Sequence, residues 1–109
     1  MSKIIKVADK FTSPGPRYIS LGKYSGEYFR NLIKEDVLSG QNIIIDLDGT
    51  QGYGSSFLEE SFGGLIRDGV PVSLVKSIQF KSIEEPDLVK EIQEYIDDEI
   101  QRQQTDLDA

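Results

Sequence analysis

The sequence predicts a small α/β domain in which a mixed β-sheet is covered by helices, with the element order β-β-α-β-α-β-α. Three observations lead to this fold class. A short β-branched run at residues 43–48 is typical of a strand buried on both faces. A glycine-rich turn follows it and leads into a segment with helical periodicity. Amphipathic helical patterns before and after this unit separate the other predicted strands, so the rest of the chain should pack onto residues 42–67.

Two strands are predicted ahead of the first helix. Residues 3–7 contain a β-branched pair that lies between two lysines. Residues 17–21 alternate polar and apolar side chains. The Pro-Gly-Pro sequence at residues 14–16 breaks any regular element between them. The two strands are therefore expected to form an N-terminal hairpin with this loop at its tip.

The first helix is predicted to begin after Ser25 and to end before Gly40. Ser25 suits the N-cap position, and Glu27 lies in the first turn, where the helix dipole favours a negative charge. Apolar side chains then recur at helical spacing up to Gly40, which suits the position just past the helix end.

The second helix has a predicted start and an unusual middle. Ser56 and Glu59 have capping-box spacing, so each could satisfy a backbone donor of the other. Gly63 and Gly64 lie inside the helical pattern, although each glycine costs up to ~1 kcal/mol relative to alanine in a helix. Close approach of another backbone, from the sheet or from a partner, would account for them.

The C-terminal part is predicted to add one strand and one helix. The strand is expected at residues 72–81, and Ser82 and Glu85 again have capping-box spacing, followed by Pro86 at a helix start. The residues after Pro86 have one apolar helical face and one face crowded with acidic side chains. The domain is expected to span residues 1–100, and residues 101–109 are expected to form a frayed acidic tail.

Composition and charge exclude several function classes. The chain has 109 residues with neither cysteine nor histidine, which excludes disulfides, a Ser-His-Asp triad and the usual zinc sites. The formal net charge is -7, and residues 83–109 hold ten acidic and two basic residues. This charge argues against nonspecific nucleic-acid binding. With no apolar run of the roughly 20 residues that a membrane span needs, a cytoplasmic protein without cofactor or metal is expected.

Asp46 and Asp48 raise an enzymatic hypothesis. The sequence Asp-Leu-Asp-Gly-Thr after an apolar strand resembles the nucleophile motif of the haloacid-dehalogenase-like phosphatases. By that resemblance Asp46 would attack phosphorus, Asp48 would act as general acid and base, and both would help to hold magnesium. Only about sixty residues and one predicted strand follow, whereas that fold needs a larger parallel sheet. The alternative is that Asp48 and Gly49 shape the exit from the strand.

The glycine-rich turn allows three interpretations. Its backbone amides at a helix start could bind a phosphate or nucleotide, although no lysine follows the glycines as in a Walker A loop. The glycines could simply permit a tight turn. A regulatory use is the third, since a phosphate on Ser55 or Ser56 would lie at the positive end of the helix. Tyr53 at the apex of the turn could anchor an interface or fold back onto the core.

The unit around the turn resembles a known family. Residues 43–66 resemble STAS domains, the fold of bacterial anti-sigma-factor antagonists and sulfate-transporter tails. Residues 11–80 are more closely similar to a STAS-like bacterial family of unassigned function. That similarity depends on the sequences Ser-Gly-Glu-Tyr-Phe-Arg at residues 25–30, Asp-Leu-Asp-Gly at 46–49, Gly-Tyr-Gly-Ser-Ser-Phe-Leu-Glu-Glu at 52–60, Phe-Gly-Gly-Leu at 62–65 and Pro-Gly-Pro-Arg-Tyr at 14–18.

The STAS resemblance implies a noncatalytic switch. Antagonists of this kind bind an ATP-dependent serine kinase of the histidine-kinase-like ATPase class, and phosphorylation of a serine at the helix start disrupts the partnership. By position Ser55, with Ser56 beside it, matches that serine. Two departures are visible, since Gly54 stands where antagonists have an aspartate, and the C-terminal part lacks one strand-helix unit.

The first interpretation is therefore a cytoplasmic, regulatory protein-binding module that performs no chemistry itself. The expected contact or phosphorylation residues are Tyr53, Gly54, Ser55, Ser56 and Glu59, with Arg17, Tyr24, Asp46 and Asp48 as weaker candidates. Two alternatives stay open, a magnesium-dependent phosphoryl-transfer enzyme using Asp46 and Asp48, and a small-molecule or nucleotide-binding module using the turn.

Overall fold

Three strands form one parallel sheet in the computed structural model, which describes residues 2–108 and the side chains of residues 2–105. They are β1 (Ser2–Lys6), β2 (Asn42–Asp46) and β3 (Gln79–Lys81), in the order β1-β2-β3. Both pairs are parallel, with Ile4 opposite Ile44 and Ile44 opposite Gln79. The α/β class is confirmed, and the predicted mixed sheet is wrong because the described sheet has no antiparallel pair.

Helices connect the strands and follow the last one. The first, α1 (Gly26–Leu38), connects β1 to β2. After β2 come α2 (Ser55–Leu58), a π-helical turn (Glu59–Gly63) and α3 (Gly64–Arg67), which together we call the second helix. Next are α4 (Val72–Lys76) and, after β3, α5 (Asp87–Asp108). Short 3-10 turns lie at Val7–Asp9 and Ile19–Leu21. In residues 2–108, none of these helices combines the length and apolar character that crossing a membrane requires.

Both ends of α1 agree with the sequence. The Ser25 hydroxyl accepts a hydrogen bond from the Tyr28 backbone N–H at 3.1 Å, as an N-cap does. Gly40, just past the last turn, has a φ of 79°, a conformation that favours glycine. Local chemistry therefore sets the position of α1.

The predicted N-terminal hairpin is wrong. Residues 17–21 form no strand and instead lie against the start of α1. The backbone N–H groups of Gly26 and Glu27 donate to the carbonyls of Pro16 and Arg17 at 2.9 and 3.0 Å. The Glu27 carboxylate accepts from the Ile19 N–H at 2.9 Å. Because the first turn of a helix has backbone donors without partners, α1 uses these carbonyls, and the segment is drawn to the helix instead of to β1.

The predicted strand at residues 72–81 is only partly correct. Its first half is α4, and only Gln79–Lys81 pairs with the sheet. Val75 is buried within α4, and its backbone N–H donates to the Pro71 carbonyl at 3.1 Å, as in a helix; Ile78, also buried, lies after the helix has ended. Burial in the core therefore overrides the β-propensity of the valines.

One face of the sheet carries the core, and the other face is open. Ile43 and Ile45 point to the buried side, whereas Ile44 is only partly buried and Ile4 is 66% exposed. The β-branched run at residues 43–48 was expected to form a strand buried on both faces, and this is wrong. The helices pack on one side of the sheet, so it is not enclosed as a doubly wound sheet is.

An aromatic cluster joins the covered face of the sheet to the helices. Phe11 lies 5.5 Å from Phe29 and 5.8 Å from Phe57, measured between ring centroids. Phe62 continues the cluster to Phe80 of β3, at 5.2 Å. These rings fix the second helix against α1 and against the loop that contains Phe11.

The C-terminal helix is longer than the predicted domain. It continues to Asp108, and within its last part the Gln103 side-chain amide donates to the Ile66 carbonyl at 3.2 Å. Residues 1 and 109, the outer limits of the predicted domain and tail, lie outside the described residues. The predicted fraying of residues 101–109 stays a prediction. Before this helix, the Ser82 hydroxyl donates to the Glu85 carbonyl at 2.5 Å, so the expected capping box is replaced by a turn.

The core position of Phe11 can be tested against an exposed neighbour. We expect Phe11→Ala to lower the free energy of unfolding by about 3–5 kcal/mol, because it removes a fully buried ring. Leu21→Ala should change it by less than about 0.5 kcal/mol, because that side chain is 69% exposed. Urea unfolding followed by circular dichroism measures both. A large loss of stability in Leu21→Ala would instead support the predicted hairpin, in which Leu21 would pack on the sheet.

Candidate functional site

The glycine-rich turn is held by the Pro-Gly-Pro loop. The backbone N–H of Gly54 donates to the Pro14 carbonyl at 2.9 Å, and the N–H of Gln51 donates to the Thr12 carbonyl at 2.9 Å. A Cβ atom on Gly54 would lie 2.7 Å from the Gly15 carbonyl oxygen, so no larger residue fits there without movement of the loop. The absence of an aspartate at this position therefore has a steric reason.

Ser55 and Ser56 are exposed in the first turn of the second helix. Gly54 occupies the N-cap position and supplies no side-chain cap. The predicted capping box between Ser56 and Glu59 is wrong, because Ser56 is already inside the helix and the Glu59 carboxylate pairs with arginines. Both hydroxyls are thus free of a capping role.

Tyr53 folds back onto the domain. Its hydroxyl donates to the Leu47 carbonyl at 2.8 Å, and its ring lies 5.9 Å from the Phe57 ring. Burial raises the pKa of the phenol, and nearby Asp46 and Asp48 raise it further, while a hydrogen bond with Thr50 opposes the change. Tyr53 therefore supports the turn from inside. The adjoining cavity has a volume of about 20 Å³, which holds roughly one water molecule and no nucleotide.

Asp46 and Asp48 lie at the end of β2 and bind backbone groups. The two carboxylate oxygens of Asp48 accept from the N–H groups of Ile83 and Glu84 at 3.1 and 3.0 Å, and these bonds lower its pKa. Asp46 accepts from the Asp48 N–H at 3.0 Å and lies 3.7 Å from the Lys81 ammonium. Among the described side chains, no group of three or more acidic residues is placed to hold a metal ion. This geometry favours the interpretation that Asp48 shapes the strand exit.

A cluster of charges that the sequence did not reveal lies one turn beyond the serines. Arg17 Nη1 donates to Glu59 at 2.5 Å and to Glu60 at 3.0 Å, and Arg30 donates to the other oxygen of Glu60. Arg67 donates to Glu59 at 2.8 and 2.9 Å and to Glu60 at 3.3 Å. We call these five side chains, together with Glu99, the charge cluster.

The cluster joins four parts of the fold. Glu99 of α5 accepts from Arg67 at 2.6 Å, and Arg102, one turn later, lies 3.1 Å from Glu99 and 3.7 Å from Glu59. Glu60 and Glu99 are each only 6% exposed. Buried carboxylates need such partners, because an unpaired buried charge is costly.

The arginines lower the pKa of the Glu59 carboxyl. Burial raises the pKa of this carboxyl, but hydrogen bonds and charge from Arg67 and Arg17 outweigh burial and lower the pKa to about 2. Hydrogen bonding to Glu59 in turn raises the pKa of both arginines. Glu59, Arg17 and Arg67 are therefore ionised over the whole physiological pH range.

The glycines of the second helix make room for this cluster. A Cβ on Gly64 would lie 2.6 Å from Arg30 Nη1, and one on Gly63 would lie 2.5 Å from a Glu59 carboxylate oxygen. Gly63 also faces the Tyr95 backbone carbonyl, 3.5 Å from that Cβ position. The two glycines are thus explained mainly by side chains, and only Gly63 by an approaching backbone as well.

Ser55 lies on the side of the second helix that faces α5. The Ser55 hydroxyl lies beside Tyr95 of α5. A hydrogen bond to Glu91 raises the pKa of this tyrosine to about 12, and a hydrogen bond with Ser55 opposes the rise. Ser56 lies four residues before Glu60, whose Cβ faces Gly26 at the start of α1. Ser55 therefore faces α5, whereas Glu60 faces α1.

The structure brings together only some of the predicted site residues. Arg17 and Glu59 are in direct contact one turn from Ser55 and Ser56. Tyr24 instead packs on Phe11, with a ring-centroid distance of 5.9 Å. The residues that the sequence interpretation missed are Glu60, Arg30, Arg67 and Glu99. The acidic pair and adjacent glycines inside one helical pattern were the signals that could have found them.

Comparison with known proteins gives one match. A family model described as a STAS-like domain of unknown function (DUF4325) matches residues 25–88, more than half of the chain. The matched part begins at the N-cap of α1 and ends in the first turn of α5, so it includes the turn, both serines and the second helix. No curated protein and no solved structure matches the chain.

The charge cluster predicts a pH dependence of stability. Because the Glu59 pKa is lower in the folded chain than the ordinary 4.5, its contribution is complete above pH 4.5 and is lost as pH falls toward 2. We expect Glu59→Gln to lower the free energy of unfolding by about 2 kcal/mol at pH 7, and by much less near pH 2.

Asp97→Asn is the matched control for that measurement. Asp97 pairs with Lys76 at 3.5 Å, but both side chains are more than half exposed. Its loss should therefore change stability by less than about 1 kcal/mol. Denaturant unfolding at several pH values compares the two variants. Equal effects, or a Glu59→Gln effect that does not depend on pH, would contradict the role given to the cluster.

The contacts of Asp48 predict a structural role. Asp48→Ala removes the acceptor for two backbone N–H groups, so we expect a loss of about 1–3 kcal/mol in the free energy of unfolding. Asp48→Asn keeps one acceptor oxygen and should lose less. Thermal unfolding ranks the three chains, and an Asp48→Ala chain as stable as the parent would show that these bonds do not hold the 83–84 segment.

Proposed function

The chain belongs to the family of STAS-like domains of unknown function, and we propose that it is a noncatalytic module that binds a protein partner through the start of its second helix. Phosphorylation of Ser55 or Ser56 controls the binding in this proposal. The observation that carries it is the exposure of both hydroxyls at a helix start that has no side-chain cap. The partner class follows from the STAS resemblance: a histidine-kinase-like ATPase or a serine kinase.

The packing behind the serines supports a switch that acts at the surface. Phe57 and Leu58, which follow directly, are fully buried, so the helix start is fixed to the core. A phosphate on either hydroxyl would add about -1.5 to -2 charge at the positive end of the helix, where anions are stabilised. The modification would therefore change what a partner meets without disturbing the core.

An exposed apolar segment near the charge cluster extends the proposed contact surface. Tyr18, Ile19 and Leu21 expose 47, 49 and 69% of their surfaces, and they directly follow Arg17, which binds the second helix. Exposed large apolar side chains of this kind are common where proteins bind one another. A partner that covers the helix start and this segment would bury both charge and apolar area.

The proposal assigns no chemistry to Asp46 and Asp48. Their oxygens accept hydrogen bonds from the backbone, and the Lys81 ammonium lies near Asp46. A phosphatase nucleophile needs an open approach for the phosphorus and oxygen ligands for magnesium. Asp46 is only 8% exposed and its carboxylate is already paired, which supports the noncatalytic alternative.

Partner capture from the protein's own cells tests the proposal. The chain, purified under phosphatase inhibition, should carry a phosphate on Ser55 or Ser56 in part of the molecules, and its unmodified form should co-purify with an ATPase. Intact mass and peptide mapping measure both. Unmodified chain without any ATPase would remove the support for a phosphorylation switch.

Glutamate variants then test the position of the contact. Ser56→Glu should weaken binding of the captured ATPase at least tenfold, because it places a negative charge at the proposed contact. Ser73→Glu is the matched control, since Ser73 is also exposed and occupies the same second position of a helix, in α4. It should change binding less than twofold. Equal losses for both variants would place the contact elsewhere.

The enzymatic alternative has its own measurement. We expect the chain to show no magnesium-dependent hydrolysis of a phosphate monoester such as p-nitrophenyl phosphate. Any background hydrolysis should be the same in the Asp46→Asn variant. Turnover that is abolished by Asp46→Asn, while Asp97→Asn retains it, would make the chain an enzyme and would contradict the proposal.

A further inference from the structure

β1 lies at the edge of the sheet with one side unpaired. The strand order β1-β2-β3 gives β1 a single neighbouring strand among residues 2–108, so the backbone N–H and C=O groups on its outer side meet no other strand. All five of its residues are exposed or half-buried. β3, at the other edge, has only three residues. An open edge of this length can accept one further strand from another molecule.

The two faces of β1 offer different surroundings to such a strand. Ile5 lies opposite Ile45, whose side chain is buried on the covered face of the sheet. Because successive side chains of a strand alternate, Lys3 shares that side, whereas Ile4 and Lys6 point to the open face. A strand added beside β1 would therefore send every second side chain toward α1 and the others along the open face.

A groove lies on the covered side of this edge, between β1 and α1. Its apolar wall is formed by Ile5, Phe11, Phe29, Leu32 and Ile33. Its volume is about 270 Å³, which is below the roughly 300–1,000 Å³ of pockets that hold small-molecule ligands. Leu32 is 37% exposed, so the wall is open to solvent. The groove thus suits one or two apolar side chains of an extended segment better than a cofactor.

The rim of the groove determines the charge of a matching segment. It carries three lysines and two aspartates: Lys3, Lys6, Lys10, Asp9 and Asp36. Lys3 pairs with Asp36 at 2.9 Å, whereas among the described side chains neither Lys6 nor Lys10 pairs with a carboxylate. The rim is therefore positive on a chain whose net charge is -7. An acidic segment complements it, and a second β1 would instead bring its own lysines to the same edge.

We infer that the outer edge of β1 binds an extended acidic segment of a partner protein as an added strand. The backbone of the segment pairs with the outer side of β1, and every second side chain is apolar and enters the groove. The intervening acidic side chains meet Lys6 and Lys10. Backbone hydrogen bonds supply the affinity in this mode of binding, and the side-chain pockets supply the specificity. The inference goes beyond the proposed function, because it uses no residue at the start of the second helix.

The test uses the full chain and a labelled peptide with capped ends, Glu-Val-Glu-Ile-Glu-Val-Glu. Fluorescence anisotropy should show saturable binding that weakens as salt is added, because salt screens exposed charges. A matched peptide with lysine in place of every glutamate keeps the apolar side chains and the alternation. It should bind at least tenfold more weakly.

Two pairs of variants locate the contact. Leu32→Gln places a polar group in the wall of the groove and should weaken binding at least fivefold. Leu38→Gln is its matched control, since Leu38 lies in the same helix, is 42% exposed and does not line the groove. Lys10→Gln should weaken binding at least threefold, whereas Lys90→Gln, at an exposed position of α5, should change it less than twofold. Thermal unfolding verifies that each variant is folded.

Amide hydrogen exchange shows whether the peptide adds a strand. With the peptide bound, alternate backbone amides of residues 2–6 should exchange at least tenfold more slowly, and those of residues 79–81 should be unchanged. Exchange rates at β1 that do not respond to the peptide would overturn the inference. So would the absence of saturable binding, or equal losses from Leu32→Gln and Leu38→Gln.

Sedimentation of the chain alone examines the competing occupant. A dimer whose β1 amides are already protected would show that a second copy covers this edge, and it would overturn the inference. Ser56→Glu separates the inference from the proposed function. That variant should leave peptide binding unchanged, whether or not it weakens binding of the captured ATPase.

Discussion

The burial of two adjacent carboxylates in the second helix is the constraint on which the rest of the structure depends. Glu60 is 6% exposed and Glu59 lies beside it, so both need cations from elsewhere in the chain. Arg17 comes from the loop before α1, Arg30 from α1 and Arg67 from α3. The paired glutamates therefore hold the 17–21 segment together with the backbone donors at the start of α1, and through Arg67 and Glu99 they also hold α5. The π-helical turn and its glycines occur where these side chains converge.

Elements whose signals are local could be predicted from the sequence. The cap at Ser25 and the terminating Gly40 identify α1, because each acts on backbone groups within a few residues. Residues 17–21 and 72–76 have strand-like composition, yet the first is drawn to the donors at the start of α1 and the second forms α4, from which Val75 enters the core. Neither influence is visible in a window of the sequence, since both come from distant parts of the chain.

The sequence predicted the turn and the helix start of the candidate site but not the contacts among its side chains. The glycines and serines indicated a turn and a helix start, and the structure has both. The pairing of Arg17 with Glu59 and Glu60 instead spans 42 and 43 residues of sequence. Such ion pairs leave no periodic signal. Gly63 and Gly64 were the visible trace of them, because glycine inside a helix is unfavourable unless something occupies the space.

The same geometry restricts how a signal at the serines could reach a partner. The aromatic cluster fixes the helix start, and well-packed cores of this kind do not deform gradually. A charge added at Ser55 or Ser56, as the proposed function requires, would therefore change the exposed surface and leave the packing behind it in place. Regulation at this surface would then add charge and leave the fold in place.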